Sequence, residues 1–171
     1  LLIALDVRNA YNSIQRAACL RAIRRLRPDL AALPDLFYSR ASCYWYRDAR
    51  GHRRDIWAEE GVEQGDGFAP ALFAYGLRQA LRDAQSRLDE YCQQHSLPLV
   101  RIFAYLDDIV LATPRDAADF AFDTVLNALR VSCDLELAVE KTQVWSPTPT
   151  PPSGRLSPFW RPEGLIVLGG P

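Results

Sequence analysis

The sequence predicts an α+β domain: a mainly antiparallel sheet with helices packed on one face. Two pairs of short, β-prone runs are each joined by a tight turn, which is typical of hairpins. Apolar residues between these pairs recur at helical spacing, which predicts helices that cover the sheet. The chain has 171 residues, of which 49% are hydrophobic and 24% charged, a size and composition typical of one globular domain.

The N-terminal third predicts a strand, two helices and a hairpin. Residues 1–7 form an apolar run that contains a single acid, as expected for a central strand. Residues 15–27 place apolar side chains on one helical face, and Pro28 ends that helix and begins another. Residues 42–46 and 53–58 are rich in aromatic residues and flank a polar turn, which predicts the first hairpin.

The central part predicts a loop, a long helix and a second hairpin. Residues 61–67 are glycine-rich and acidic and predict a loop, after which Pro70 opens a helix with one long apolar face. Residues 99–105 and 109–113 are two β-prone runs separated by a turn, which predicts the second hairpin.

The last part of the chain predicts one more helix, a loop and a short strand. Thr113 with Pro114 is expected to cap the helix that follows. Residues 147–158 contain five prolines and predict an extended linker or a disordered loop. Residues 165–168 predict a final short strand.

Composition argues against membrane, secreted and zinc-binding proteins. The longest apolar run, residues 67–77, is about half the ~20 residues that cross a bilayer. Asp6 and Arg8 interrupt the apolar start, unlike a signal peptide. The four cysteines are widely spaced and the two histidines lie far from any cysteine pair, so we expect reduced thiols in an intracellular protein.

Charge is distributed unevenly along the chain. Residues 1–54 contain 11 arginines and four acidic residues, whereas residues 55–140 contain six arginines and 16 acidic residues. A basic flank beside an acidic centre suits a polyanion that is held over metal-binding carboxylates. The alternative is chance segregation of solvated surface charge.

Asp107 and Asp108 stand side by side at the tip of the second predicted hairpin. One interpretation is a polar turn, in which Asp is common. The other is a cation site, because adjacent carboxylates repel each other and hard oxygen ligands suit Mg²⁺. If the strand that ends at Asp6 lies beside this hairpin, Asp6 and Asp107 could bridge two cations about 3.5–4 Å apart and support phosphoryl transfer.

Five segments carry a family resemblance: LLIALDVRNAYNSI, EEGVEQGDGFAPALF, FAYLDDIVLAT, LELAVEKTQVW and LIVLGG. In this order they resemble the polymerase palm of reverse transcriptases, most similarly those of non-LTR (LINE-type) retrotransposons, then group II intron enzymes. The resemblance implies a palm core at residues 1–146, a Pro-rich linker or loop at 147–158 and the start of a primer-grip region at 159–171. Fingers and thumb fall outside these segments, so we expect a fragment that is inactive in isolation.

The resemblance implies a catalytic centre. Asp6 and Asp107 would ligate two Mg²⁺ ions, for which Mn²⁺ is a substitute, with Asp108 completing the acidic triad and the Val7 carbonyl offering another oxygen. Lys141, the single lysine of the chain, falls on the family's Lys-Thr pair, where it would donate a proton to the departing pyrophosphate.

Further matches imply a substrate pocket. Tyr11 would act as a steric gate against a ribose 2′-hydroxyl; the alternative is a core aromatic residue. Gln64 and Gly65 would contact the nucleotide; the alternative is an ordinary glycine-rich turn. Tyr105 would pack beneath the acids, near the primer end.

Leu168 and Gly169 match the primer-grip hairpin. The sequence departs from the family at residues 67–69, where relatives more often carry Pro, Leu and Ser, and at Ala138, where Asn is frequent. Residues 67–69 flank the nucleotide pocket, where such changes are compatible with a neutral effect, and Ala138 lies three residues before Lys141.

The function implied is that of an RNA-directed DNA polymerase: transfer of a nucleotide from a dNTP to a DNA primer 3′-hydroxyl on an RNA template. The alternatives are an inactive retroelement relic or a non-catalytic nucleic-acid-binding domain, and, less well matched, a viral RNA-dependent RNA polymerase. Family analogy implies a nuclear location, no membrane is expected, and the sequence identifies no protein partner.

Overall fold

A computed structural model describes residues 1–165 of the chain. These residues divide into two compact units: residues 1–8 with the chain from residue 78 onward, and residues 9–77. In chain order the elements are β1 (Leu2–Asp6), α1 (Ala10–Ser13), α2 (Arg16–Leu26), α3 (Ala32–Tyr38), β2 (Ser42–Arg47), β3 (Arg53–Ala58), α4 (Ala69–Gln94), β4 (Arg101–Tyr105), β5 (Asp108–Ala112), α5 (Ala118–Cys133) and β6 (Gln143–Trp145).

The first unit is built on a four-stranded sheet in the order β4-β5-β1-β6. Each neighbouring pair is antiparallel, so the predicted α+β class is confirmed. The second predicted hairpin is β4 with β5, and the predicted N-terminal strand is β1 between β5 and β6. Strand β1 is therefore one of the two internal strands, in agreement with its almost entirely apolar sequence.

One face of this sheet forms the core. Ile3 lies opposite Leu111 on one side and Val144 on the other, and Leu5 lies opposite Ile109. All five side chains are at most 3% exposed. Because side chains alternate along a strand, Asp6 and Asp108 fall on the other face. The helical residues of the unit bury Ala84, Leu88 and Cys92 of α4 and Ala121, Phe122, Val125 and Leu129 of α5.

The second unit contains helices α1 to α3, the two-stranded ribbon β2–β3 and the predicted loop at residues 61–67. Pro28 ends α2 as predicted, with a short 3₁₀ helix at Pro28–Leu30 before α3. The ribbon is the first predicted hairpin, and its register pairs Tyr44 with Ile56. Nearly all of its residues are exposed.

The predicted cap at Thr113 is wrong. The Thr113 hydroxyl donates to the Pro114 carbonyl at 3.0 Å, and no side chain caps the helix start. A 3₁₀ turn at Arg115–Ala117 leads into α5. A threonine that bonds to the carbonyl of its neighbour is not available for the N–H groups of the first helical turn.

The structure also differs from the prediction of an extended linker or disordered loop at residues 147–158. Gly154–Phe159 forms a 3₁₀ helix, and Leu156 is buried. The guanidinium of Arg115 donates to the carbonyls of Thr150 and Pro151 and to two hydroxyls of this region, those of Ser146 and Thr148. The predicted strand at 165–168 lies, apart from Leu165, outside the described residues. No helix in the described part of the chain has the length and apolar character needed to cross a membrane.

Candidate active site

Three predicted site residues form a row across the sheet of the first unit. Asp6 lies directly opposite Asp108 on the neighbouring strand. Asp108 in turn lies opposite Tyr105 on the far side. Directly opposed residues share a face, so both acids and the tyrosine project from the side that does not form the core. Tyr105 is 65% exposed, and its predicted role near the primer end stays a prediction.

Asp107 belongs to the two-residue turn that joins β4 to β5. The preceding Leu106 has a φ of +56°, in the left-handed region that side-chain-bearing residues rarely adopt. Such a conformation costs on the order of 1–3 kcal/mol and persists only where surrounding structure imposes it. The turn therefore sets Asp107 immediately beside the Asp6–Asp108 pair.

Negative charge is concentrated at this end of the sheet. Partial burial, together with the charges of Asp107 and Asp6, raises the pKa of Asp108 above its usual range. Like charges directly opposite each other in an antiparallel pair are destabilising. Such an arrangement favours a cation, which would relieve the repulsion.

A cation of the chain itself already contacts one of the acids. The Nζ atom of Lys141 lies 2.7 Å from Oδ2 of Asp6. The hydrogen bond to Asp6 and its charge raise the pKa of Lys141. The lysine ends a 3₁₀ helix, Val139–Lys141, and the Ala138 N–H just before that helix donates to the Asp6 carbonyl at 2.9 Å. Strand β1 thus fixes both partners of the ion pair.

A cleft of about 410 Å³ opens at these charges. Its lining includes three acids, Asp6, Asp108 and Glu140, and two cations, Lys141 and Arg161. The sequence did not single out Arg161, because it lies in a proline-rich region that matches none of the five motifs. Within residues 1–165, no group of three or more His, Cys, Asp or Glu side chains is gathered closely enough to hold a metal ion by itself.

The Val7 carbonyl remains a candidate ligand. Val7 bridges to Leu137 next to the end of β1. The two hydrogen bonds of this bridge run from Arg8 N to Glu136 O and from Ala138 N to Asp6 O. Neither bond uses the Val7 carbonyl.

Tyr11, Gln64 and Gly65 belong to the second unit. The Tyr11 ring is half-buried and stacks on Phe73, with ring centroids 4.8 Å apart and planes at 9°. Its backbone carbonyl accepts the Val62 N–H at 2.7 Å. The packing of Tyr11 is compatible with both the gate and the core alternative, since one side of the ring is covered.

The loop that carries Gln64 and Gly65 exposes both residues. Gly65 has a φ of +94°, so glycine is favoured there by the backbone. The loop is held on its two sides by tyrosines: Tyr38 donates to Asp66, and Tyr44 donates to Glu63. Burial and the bond to Asp66 raise the pKa of Tyr38 to about 12, so the phenol stays a donor at physiological pH.

Arg16 is the most informative residue that sequence reasoning missed. Its side chain is buried, donates from Nε to the Gly61 carbonyl at 2.8 Å and from Nη1 to the Arg40 carbonyl at 3.0 Å. Gly61 begins the loop with a φ of +72°, and a Cβ there would collide with the Asn12 backbone. A buried arginine is rare unless it is paired. Nothing in the local sequence distinguishes Arg16 from the other arginines of the N-terminal third.

The acids, Lys141 and Tyr105 therefore lie in the first unit, and Tyr11 with the Gln64–Gly65 loop in the second. Leu168 and Gly169, the expected primer-grip residues, lie outside the described residues. A family model described as "Reverse transcriptase (RNA-dependent DNA polymerase)" matches residues 1–164. The chain belongs to the reverse transcriptase family. The family resemblance is confirmed, and the match spans the first four motifs, whereas LIVLGG lies beyond the matched residues.

Among known reverse transcriptase relatives, the chain is similar to the retrovirus-related Pol polyprotein from the type-1 retrotransposable element R2 of Popillia japonica. The two are 29% identical over 137 residues, which cover 77% of this chain and 21% of that polyprotein. This reverse transcriptase segment therefore spans about a fifth of the length of the curated relative that it matches.

Solved structures support the same fold. Telomerase from Candida albicans, in complex with a TWJ fragment of telomeric RNA, superposes with a TM-score of 0.62 at 15% identity, over 88% of this chain and 28% of that chain. Apo telomerase from Candida tropicalis, truncated from its C-terminal domain, gives 0.59 at 14% identity, over 86% and 31%. At such low identity the likeness concerns the palm fold alone.

Proposed function

We propose that this chain supplies the nucleotidyl-transfer centre of an RNA-directed DNA polymerase. The reaction extends a DNA primer on an RNA template, with a dNTP as the nucleotide donor. The observation that carries the proposal is the row of Asp6, Asp108 and Tyr105 across three strands, with Asp107 in the adjoining turn. The similarity to an R2 retrotransposon polyprotein supports a retroelement context.

The chemistry of the donors suits Mg²⁺, with Mn²⁺ as a substitute, although in residues 1–165 the acids are not gathered closely enough to hold the ion by themselves. Asp6, Asp107 and Asp108 offer carboxylate oxygens and Val7 offers a backbone carbonyl, all of them hard ligands. The opposed Asp6 and Asp108 are like-charged neighbours whose repulsion a divalent cation would offset. When bound, two such ions would activate the primer hydroxyl and stabilise the charge that develops on the leaving pyrophosphate.

Lys141 and Arg161 are proposed to bind the phosphates of the nucleotide. Both line the cleft that contains the acids. The raised pKa of Lys141 keeps its Nζ protonated at neutral pH, so it presents a positive charge and a transferable proton. Arg161 is always charged and offers several donors to phosphate oxygens.

The nucleotide-selecting roles are proposed for residues 9–77. Tyr11 would exclude a ribose 2′-hydroxyl, and its stacking on Phe73 fixes the ring plane that such a gate requires. Gln64 would contact the nucleotide through its amide, and Gly65 would allow close backbone approach. The bonds from Tyr38 to Asp66 and from Tyr44 to Glu63 restrict the loop that carries them.

Primer extension tests the proposal. The full polypeptide that contains residues 1–171 is assayed with an RNA template, a DNA primer, dNTPs and Mg²⁺. Asp107→Asn is expected to reduce the rate of extension by about 10³-fold or more. Loss of a metal ligand removes several kcal/mol of transition-state stabilisation, and each 1.4 kcal/mol corresponds to a factor of about ten in rate. The matched control is Asp116→Asn, an exposed acid next to α5 that lies outside the cleft.

Asp116→Asn is expected to leave extension unchanged, and unfolding curves should show both variants to be at least as stable as the parent. Retention of extension by Asp107→Asn would refute the assignment of the catalytic centre. Replacement of dNTPs by rNTPs in the same assay tests Tyr11: Tyr11→Val should admit rNTPs while the parent rejects them.

A second candidate is a domain that binds nucleic acid without turnover, as in a retroelement relic. The specific observation in its favour is the Lys141–Asp6 ion pair, which neutralises one acid without a metal. In this case the protein would bind RNA with steep salt dependence, whereas no nucleotide would be incorporated by the full polypeptide under any metal condition.

A further inference from the structure

The ribbon β2–β3 exposes a concentration of large aromatic side chains. Trp45 and Trp57 are 60% and 63% exposed, and Tyr46 is 50% exposed. Tryptophan is usually well covered in folded proteins, and contiguous exposed apolar surface marks a binding site. The proposed polymerase chemistry uses none of these residues, so the ribbon requires an explanation of its own.

The strand register places both tryptophans on one face of the ribbon. Trp45 lies opposite Asp55, and Trp57 lies opposite Cys43, so the two rings are diagonal neighbours. Diagonal positions in an antiparallel pair are about 7–8 Å apart. Two rings side by side on one face can each stack on a base of an extended single strand.

Positive charge accompanies the aromatic rings. Arg47 lies directly opposite Arg53 on the same face, and the guanidinium of Arg53 lies 5.7 Å from the centre of the Trp45 ring. Arg53 is paired with Asp55, but among the described residues Arg47 and Arg50 form no ion pair with an acid. Two opposed arginines repel each other, so this face is complementary to a polyanion and unfavourable for a second copy of itself.

We infer that this face, defined by Trp45, Trp57, Arg47 and Arg53 and flanked by Arg50 in the adjoining turn, is a docking surface for single-stranded RNA. Bases stack on the two indole rings, and the arginines contact the phosphates. The inference goes beyond the nucleotidyl-transfer centre, and only the choice of RNA over DNA rests on the proposed function, in which RNA is the strand that is copied. A duplex hides its bases, so the surface should prefer unpaired strands.

Binding of a fluorescein-labelled RNA of twenty uridines to the full chain, followed by fluorescence anisotropy in EDTA and without dNTP, tests this inference. The double substitution Trp45→Ala with Trp57→Ala is expected to weaken binding roughly tenfold or more for each ring. Trp45→Phe with Trp57→Phe should retain most of the affinity, because Phe also stacks. Leu36→Ala, which truncates an apolar side chain that is 76% exposed on α3, is the matched control and should change nothing.

The arginines are tested separately through salt dependence. Arg47→Ala with Arg50→Ala should lower the slope of log affinity against log salt by about 0.7 for each phosphate contact that is lost. If the variant with both tryptophans replaced by alanine does not fold, this double arginine variant tests the inference instead. Unchanged affinity in folded Trp variants together with an unchanged slope would overturn the inference.

Further arms separate the other outcomes. The inference would be contradicted if Leu36→Ala weakened RNA binding as much as the tryptophan substitutions do, or if the chain preferred duplex to single-stranded RNA. It would also be contradicted if the tryptophans were needed to bind DNA of the same length but not to bind RNA. A dimer in size-exclusion chromatography that the Trp→Ala substitutions abolish would replace RNA by a second copy as the occupant. Because this assay contains EDTA and no dNTP, it measures RNA binding without nucleotide transfer, so failure of the polymerase proposal and failure of this one are distinguishable.

Discussion

The two antiparallel sheets of this chain are built on opposite principles. The four-stranded sheet of the first unit buries one face, with Ile3, Leu5 and Leu111 at most 3% exposed. The two-stranded ribbon of the second unit exposes nearly every residue, including Ile56 at 52%. Both were predictable as hairpins or strands, but only the first is held by a core.

Their registers are fixed by different means. In the four-stranded sheet a slip of one residue would turn the apolar face to solvent, so the core itself determines that Asp6 meets Asp108. In the ribbon the turn determines the pairing: the Oδ1 atom of Asp48 accepts the N–H groups of Arg50 and His52. The core of the four-stranded sheet thus fixes the positions of its charged side chains. The ribbon lacks such a core, and there we propose base stacking, which tolerates any nucleotide sequence.

The same substitution in both sheets gives the largest expected contrast. Ile3→Ala removes a fully buried side chain and should lower the free energy of unfolding by about 2–5 kcal/mol. Ile56→Ala should lower it by less than about 1 kcal/mol, because the side chain is half exposed. Urea unfolding followed by circular dichroism measures both; equal losses would show that the ribbon is as well packed as the sheet.

A buried arginine sharpens the contrast within the second unit. Arg16→Met leaves the carbonyls of Gly61 and Arg40 without their donors and is expected to cost about 2–3 kcal/mol. Arg24→Met breaks the pair with Asp35, in which the Arg24 side chain is 51% exposed, and should lower the free energy of unfolding much less, because solvent screens an exposed ion pair. Thermal unfolding compares the two variants, and a larger loss for Arg24→Met would contradict the role given to Arg16.

The smallest effect concerns the opposed acids and depends on pH. Because the folded state raises the pKa of Asp108, its ionisation opposes folding at neutral pH, and this penalty disappears as the pH falls through the folded pKa toward 3.8. Asp108→Asn should therefore raise the melting temperature in EDTA by about 1–3 °C at pH 7. The difference should shrink toward pH 4. A variant that is less stable than the parent at pH 7 would show that the acids do not repel.

Local patterns predicted the elements, and long-range contacts decided the rest. The apolar run before Asp6 and the paired runs around Asp107 were enough to place strands within about two residues. The sequence brought Asp6 and Asp107 together only on the condition that β1 lies beside the second hairpin. The pairing of Asp6 with Asp108 confirms that condition. Periodicity reports which face is buried, but it does not report which strand is the neighbour.

Side chains that reach far along the chain were not predictable. Arg115 holds residues 148–151, more than thirty positions away, and turns part of a proline-rich run into ordered structure. Arg16 reaches Gly61 across 45 positions. Neither arginine differs in its local sequence from the exposed ones, because its role is set by the carbonyls that the fold brings to it. The roles of the metal ligands and of Tyr11 remain predictions.

The contact between Lys141 and Asp6 has a practical consequence for chemical labelling. The chain contains 20 basic residues of which Lys141 is the single lysine, so its Nζ is the only side-chain amine in the sequence. Apart from the N-terminal amine, a reagent that acylates amines therefore modifies one defined atom of residues 1–171, and that atom lies in the cleft that contains Asp6. Because the ion pair keeps that amine protonated and unreactive, the rate of labelling reads out how firmly Asp6 holds it.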